Sequence, residues 1–122
     1  MKLSNITLIY LINGIGAIQE VELPVTASFT LSQDTEALME AYKPYAAEYK
    51  KINAQYSGKD SEEYIRKLSE LQHIVVEVEI KTLPEEYLEC IVSSPVRMAM
   101  VNLNAMKNYI FCEKEKKDEL EN

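Results

Sequence analysis

Several kinds of residue are scarce in this 122-residue chain, and each scarcity closes off a class of chemistry. One histidine, His73, and two cysteines, Cys90 and Cys112, leave no CxxC pair and no zinc-finger spacing. A metal site would need distant carboxylates to complete it, so no metal and no cofactor is expected. Both cysteines read as reduced residues on apolar faces of a cytosolic protein. Glycine occurs three times, and NGIG at residues 13–16 supplies two of them without GxGxxG or GxxxxGK[ST], so no phosphate cradle is read. The serines occupy caps and turns and none stands in GxSxG, which leaves no nucleophile elbow. Paired acids such as Glu62 with Glu63 and Glu85 with Glu86 lie at helix starts, where the helix dipole accounts for them. No residue is assigned a catalytic role, and the chain is read as a non-enzyme.

Positive charge is also thin. The net charge is −7, and between Leu3 and Tyr42 there are five acids (Glu20, Glu22, Asp34, Glu36, Glu40) and no lysine or arginine. Such a field suits solubility and basic partners rather than nucleic acid or an anionic membrane. Long apolar runs are missing too. MKLSNITLIYLINGIGAI has one lysine before its apolar stretch, Asn13 interrupts it, and no small-x-small cleavage site follows, so it is expected to be retained rather than cleaved. It is too short and too interrupted to span a bilayer.

What is present is apolar residue enough, 47%, for one core, and one domain over 1–122 is expected. Ser4 or Asn5 can cap a helix carrying Leu8, Leu11, Ile12, Ile15 and Ile18, with Gly14 and Gly16 weakening it and able to end it early. From Val21 to Leu31 apolar residues fall on alternate positions, which predicts a half-buried strand, at an edge or bulged at Pro24. Ser32 or Asp34 can then cap a long helix whose seam, Leu38, Tyr42, Tyr45, Tyr49, Ile52 and Tyr56, is spaced 4, 3, 4, 3, 4. SGKD turns the chain, Asp60 with Glu63 forms a capping box, and Tyr64, Leu68 and Leu71 line a returning helix. Residues 34–73 thus predict a helical hairpin arm, coiled-coil-like, projecting from the body.

VVEVEIK returns to period two and predicts a second strand, pairing antiparallel with the first. Thr82, Pro84 and Glu85 start a short helix containing Tyr87, Leu88 and Ile91. Ser94 and Pro95 start a last one that runs to about Phe111 and buries Val96, Ala99, Met100, Leu103, Met106 and Ile110. Residues 113–122 are charged and expected to fray. The fold class is α+β, mostly helical, with a two-stranded antiparallel sheet.

Pro44 sits inside the tyrosine seam, where it removes the hydrogen bond to the Glu40 carbonyl and bends the helix. Counting the two arms places it where the shorter helix runs out, so it marks the joint between arm and body. A two-helix arm has no third layer, and tyrosine tolerates the wetness of its seam better than leucine does. Tyr42, Tyr45, Tyr49 and Tyr56 are therefore the candidate partner-binding residues, with packing of the hairpin as the competing role.

Lys50, Lys51, Lys59, Arg66 and Lys67 interleave with tyrosines, a mixture that can meet phosphates and stack on bases, although solvated helix faces look the same. Arg66, Lys67 and Arg97 are the candidate ligand-binding set of an alternative in which the chain, as an oligomer, sequesters a nucleotide signal. A third reading takes the acid-only region as a DNA mimic.

The order VELPVTASFTL, helical middle, VVEVEIKTLPEEYLE and then SSPVRMAM resembles small uncharacterised accessory proteins encoded by phages and prophages of Gram-positive bacteria. The resemblance covers most of the chain. It implies a small acidic viral protein made in the host cytoplasm that binds a host or phage protein, such as a defence factor, and it carries over no catalytic residue.

Overall fold

A computed structural model describes residues 1–56 and 61–113. The chain is α+β and mostly helical. Strand β1 (Lys2–Ser4) leads into helix α1 (Asn5–Ala17), and a turn carries the chain into the long helix α2 (Val25–Gln55). Helix α3 (Glu62–Gln72), strand β2 (Val75–Glu77), the short helix α4 (Tyr87–Val92) and helix α5 (Met100–Tyr109) follow.

The sheet is two-stranded and antiparallel, but its members are not the expected pair. β2 pairs with β1, Leu3 opposite Val76, rather than with residues 21–31. The alternation of 76–81 holds as read, with Val78 buried, Val76 and Ile80 half-buried, and Glu77, Glu79 and Lys81 exposed. The segment expected as the first strand is instead the entry to α2. Pro24 stands at its N-cap position and its carbonyl accepts from Ser28 N at 3.0 Å. Ala27, Leu31, Asp34 and Leu38 recur at steps of 4, 3 and 4 and are all buried, so a helical stripe was hidden within the period-two pattern. A strand would have buried Val25 and Phe29 beside Ala27 and Leu31; the helix turns them outward. Ser32 and Asp34 consequently lie inside the helix and cap nothing.

Ser4 caps α1 as expected, its Oγ accepting from Thr7 N at 3.2 Å. Gly14 does not end the helix, because it is the point where α1 meets α5. A methyl group there would overlap Met106, with Cγ at 2.9 Å. Leu3, Leu8, Leu11, Leu38, Met106, Ile110 and Phe111 are the fully enclosed centre of the main core.

The last helix begins at Met100, not at Pro95. Ser94 Oγ donates to the Ile91 carbonyl at 2.6 Å, which closes α4 instead of opening α5. Ala99 has an extended backbone, so 96–99 form a connector in which Val96 and Met98 pack on the core, while Ala99 and Met100 are exposed. Glu113 does not fray: its N–H donates to the Leu83 carbonyl at 3.0 Å, and its own carbonyl accepts from Glu85 N at 3.1 Å. The rest of the expected frayed tail lies outside the described residues. No helix among those described is long and apolar enough to cross a membrane.

Candidate functional site

The second half of α2 and the whole of α3 form the expected hairpin. Their direction is antiparallel: the Tyr56 and Tyr64 rings meet edge-on at 6.2 Å near one end, and Tyr45 and Leu71 share the hairpin core toward the other. The turn read at SGKD, with Asp60 and Lys59, lies outside the described residues. The cap of α3 is Ser61, one residue after Asp60, its Oγ accepting from Tyr64 N at 3.1 Å.

The hairpin has its own small core, Tyr45, Ile52, Tyr64 and Leu71, flanked by Tyr42, Tyr56, Leu68 and Ile9 of α1. Leu38, Ala37 and Ala41 belong to the main core, and Tyr42 touches both. Pro44 therefore stands where α2 changes from one core to the other, within an otherwise continuous helix. The root is tied down by Asn5, a buried side chain whose Nδ2 donates to the Leu71 carbonyl at 2.8 Å, while its N–H donates to the Ile74 carbonyl at 2.9 Å.

Tyr42, Tyr45 and Tyr49 form a ladder with ring centroids 5.6 and 5.9 Å apart, the second pair stacked. Their surroundings differ. Tyr45 is enclosed at 6% exposure, Tyr42 and Tyr56 are half-buried, and Tyr49 is 37% exposed. Burial raises the Tyr45 phenol above its ordinary value, the nearby Gln72 side chain opposes this, and the neighbouring phenols of Tyr42, Tyr49 and Tyr64 add to the rise. Tyr64 OH donates to Asn53 Oδ1 at 2.7 Å, which gives a buried hydroxyl its partner. Tyr45 and Tyr64 thus hold the hairpin together, and Tyr49, with Tyr42 and Tyr56 beside it, is what the ladder offers to solvent.

The candidate phosphate-binding set is not assembled. Arg66 is clamped between Glu63 and Glu70, Nη1 to Glu70 Oε2 at 3.1 Å, and Glu63 is the larger cause of the raised basicity of its guanidinium. Lys67 lies over the Tyr56 ring at 5.8 Å. Lys51 pairs with Glu48. Arg97 belongs to the connector before α5, and among the described residues no hydrogen bond or ion pair joins it to the arm.

His73 sits at the end of α3, its Nδ1 2.7 Å from the Ser69 carbonyl, which is a capping role. Cys90 is exposed rather than on an apolar face, because α4 is a single short helix with only Ile91 turned fully inward. Cys112 is half-buried, and its thiol is pushed up by burial first and then by Glu113 and Glu85. Among the described residues no group of three or more His, Cys, Asp or Glu is placed to hold a metal ion.

Sequence reasoning missed Asp34. It is 1% exposed, its Oδ1 accepts from Lys81 N at 2.8 Å, and Oδ2 is buried with no partner among the described residues. Burial raises its carboxyl to about 6, against the smaller opposing pull of Lys81. The carboxylate anchors α2 to the chain leaving β2. Its position on the Ala27, Leu31, Leu38 stripe was the available signal.

Comparison with family models, with curated proteins and with solved structures finds no match for this chain.

Proposed function

We propose that this chain is a non-enzymatic protein–protein interaction module: a phage-type accessory protein, acting in the host cytoplasm, that binds a host protein such as a defence factor and modulates or inhibits it. The observation that carries the reading is the exposed end of the phenol ladder. Tyr49 keeps a stacked aromatic ring at the surface of an arm whose core does not need that ring enclosed. Interface centres favour tyrosine because it gives large contact area at small entropic cost, with a hydroxyl that tolerates both water and a partner.

The reading is tested by substituting Tyr49→Ala and repeating capture from a host lysate, with the helical circular-dichroism signal as a check on the arm. Loss of the main co-purifying protein at unchanged helicity is expected. Undiminished capture sinks the reading. Tyr45 is unsuited to the experiment, since its removal would open the hairpin core. The nucleotide-sequestering alternative requires Arg66 to leave both Glu63 and Glu70, and a thermal-shift screen of cyclic and linear nucleotides would detect it as a raised melting temperature.

A further inference from the structure

The outward face of the first half of α2 is not used by the fold. Val25, Phe29, Ser32, Glu36 and Met39 follow one another at steps of 4, 3, 4 and 3, opposite the buried row from Ala27 to Leu38. Val25 is 85% exposed, Phe29 64% and Met39 44%. Phe29 and Val25 belong to neither core. A phenylalanine left this bare on a helix has no packing role to explain it.

Beside this stripe lies a cavity of about 260 Å³ between the end of α1 and the first turns of α2. Its lining is mixed, apolar from Ile15, Val21 and Leu31 and polar from Gln19, Ser28 and Thr35, and Ser32 belongs both to its wall and to the stripe. Its surroundings are negative. Glu20, Glu22 and Glu36 are exposed, and none has an ion pair among the described residues. The nearby cations are occupied: Lys43 pairs with Glu40 at 3.0 Å, and Lys81 Nζ is held by Gln33 Oε1 at 3.1 Å.

We infer that this face docks a basic amphipathic helix of a partner protein, one large apolar side chain entering the cavity and its cations meeting Glu20, Glu22 and Glu36. Apolar anchors in the middle and one sign of charge around them fix the chemistry of the occupant. A second copy of this chain is the wrong partner, because it would bring the same unpaired glutamates together, and a polyphosphate would be repelled. From Val25 to Met39 the stripe is about 21 Å long, so about 14 residues of partner helix cover it. The surface is separate from the tyrosine ladder and is tested separately.

The probe is a fluorescein-labelled Leu/Lys amphipathic peptide of about 18 residues, titrated with the full chain and read by anisotropy. A Leu/Glu peptide of the same pattern and a scrambled Leu/Lys peptide lacking an apolar face are the controls. The amphipathic cationic peptide should bind and the two controls should not. Phe29→Ser, Ser32→Trp, which fills the cavity, and Glu36→Lys should each weaken it on the order of tenfold, while Tyr49→Ala leaves it unchanged. Phe29 is exposed and outside both cores, so its variant keeps the fold, which circular dichroism verifies. Equal binding of the scrambled peptide would reduce the contact to bulk charge and overturn the inference. So would indifference to both Phe29→Ser and Ser32→Trp, or light scattering that shows a homodimer dissociated by Phe29→Ser. Loss with Tyr49→Ala alone would move the contact to the arm and overturn it as well.

Discussion

The two cores of this molecule are built from different residues for a geometric reason. The body encloses leucine, isoleucine, methionine and phenylalanine completely, since α1 is covered by α2 on one side and α5 on another. The hairpin has two helices and, beyond its root where Ile9 of α1 packs on it, no third layer, and two of its four buried residues are tyrosines. An aliphatic side chain on a two-helix seam leaves apolar surface in water, whereas a phenol can bury its ring and give its hydroxyl to a polar neighbour, as Tyr64 does to Asn53, or to solvent. Residue choice thus follows the number of layers available.

Equal volumes cut from the two cores should cost unequal stability. Leu38→Ala should cost about 3–5 kcal/mol in urea unfolding, since the site is closed on all sides. Ile52→Ala should cost about 2 kcal/mol, because the arm can relax around the loss. Equal costs would mean that the hairpin is as tightly enclosed as the body.

A second, somewhat smaller effect belongs to the body alone. Asp34 has a folded-state pKa of about 6, above its ordinary 3.8, so the folded protein holds this proton more readily than the unfolded chain. The stabilisation tied to that proton is full below about pH 4 and is lost as the pH rises through about 6. Asp34→Asn should remove this dependence. Unfolding free energies of the two proteins, compared at pH 4 and pH 7, should shift relative to one another by up to about 3 kcal/mol. A constant difference between them would contradict the assignment.

The smallest effect separates two glycines of one helix. Gly14→Ala should destabilise by about 1–3 kcal/mol, because the added methyl overlaps the side chain of Met106, which is fully enclosed in the core. Gly16→Ala meets open space and should stabilise by about 0.5–1 kcal/mol through helix propensity. Thermal melts of the two variants should move in opposite directions.

Much of this architecture was legible beforehand. The tyrosine seam, the returning helix, the strand at 75–77 and the joint at Pro44 all follow from spacing, since each lies in a segment where one period fits and the other does not. Residues 21–31 fit both periods, and their β-branched and aromatic members favoured the wrong one; packing against α1 decided for helix. The strand paired with β2 is only three residues long, too short to carry any periodicity. Ser94 and Pro95 presented a helix-start signal, but Ser94 was taken up by the preceding helix's last turn. At the candidate site, the ladder was readable from spacing, while the unequal exposure of its members was not, because exposure depends on where α3 lies across them. The apolar face at Val25 and Phe29 was hidden by the same error that produced the false strand.

The closing of the sheet by Lys2–Ser4 against Val75–Glu77, and of α1 by α5, also sets an order of events at the ribosome. The hairpin is local and can form as soon as both its helices have emerged. The face of the first helix that meets α5, around Gly14, must wait for nearly the entire remainder of the chain, on the order of ten seconds at ordinary elongation rates, even after α2 has covered the other side. A nascent chain stalled before residue 100 should therefore be a good substrate for chaperones that read exposed aliphatic helices, and one released at full length a poor one.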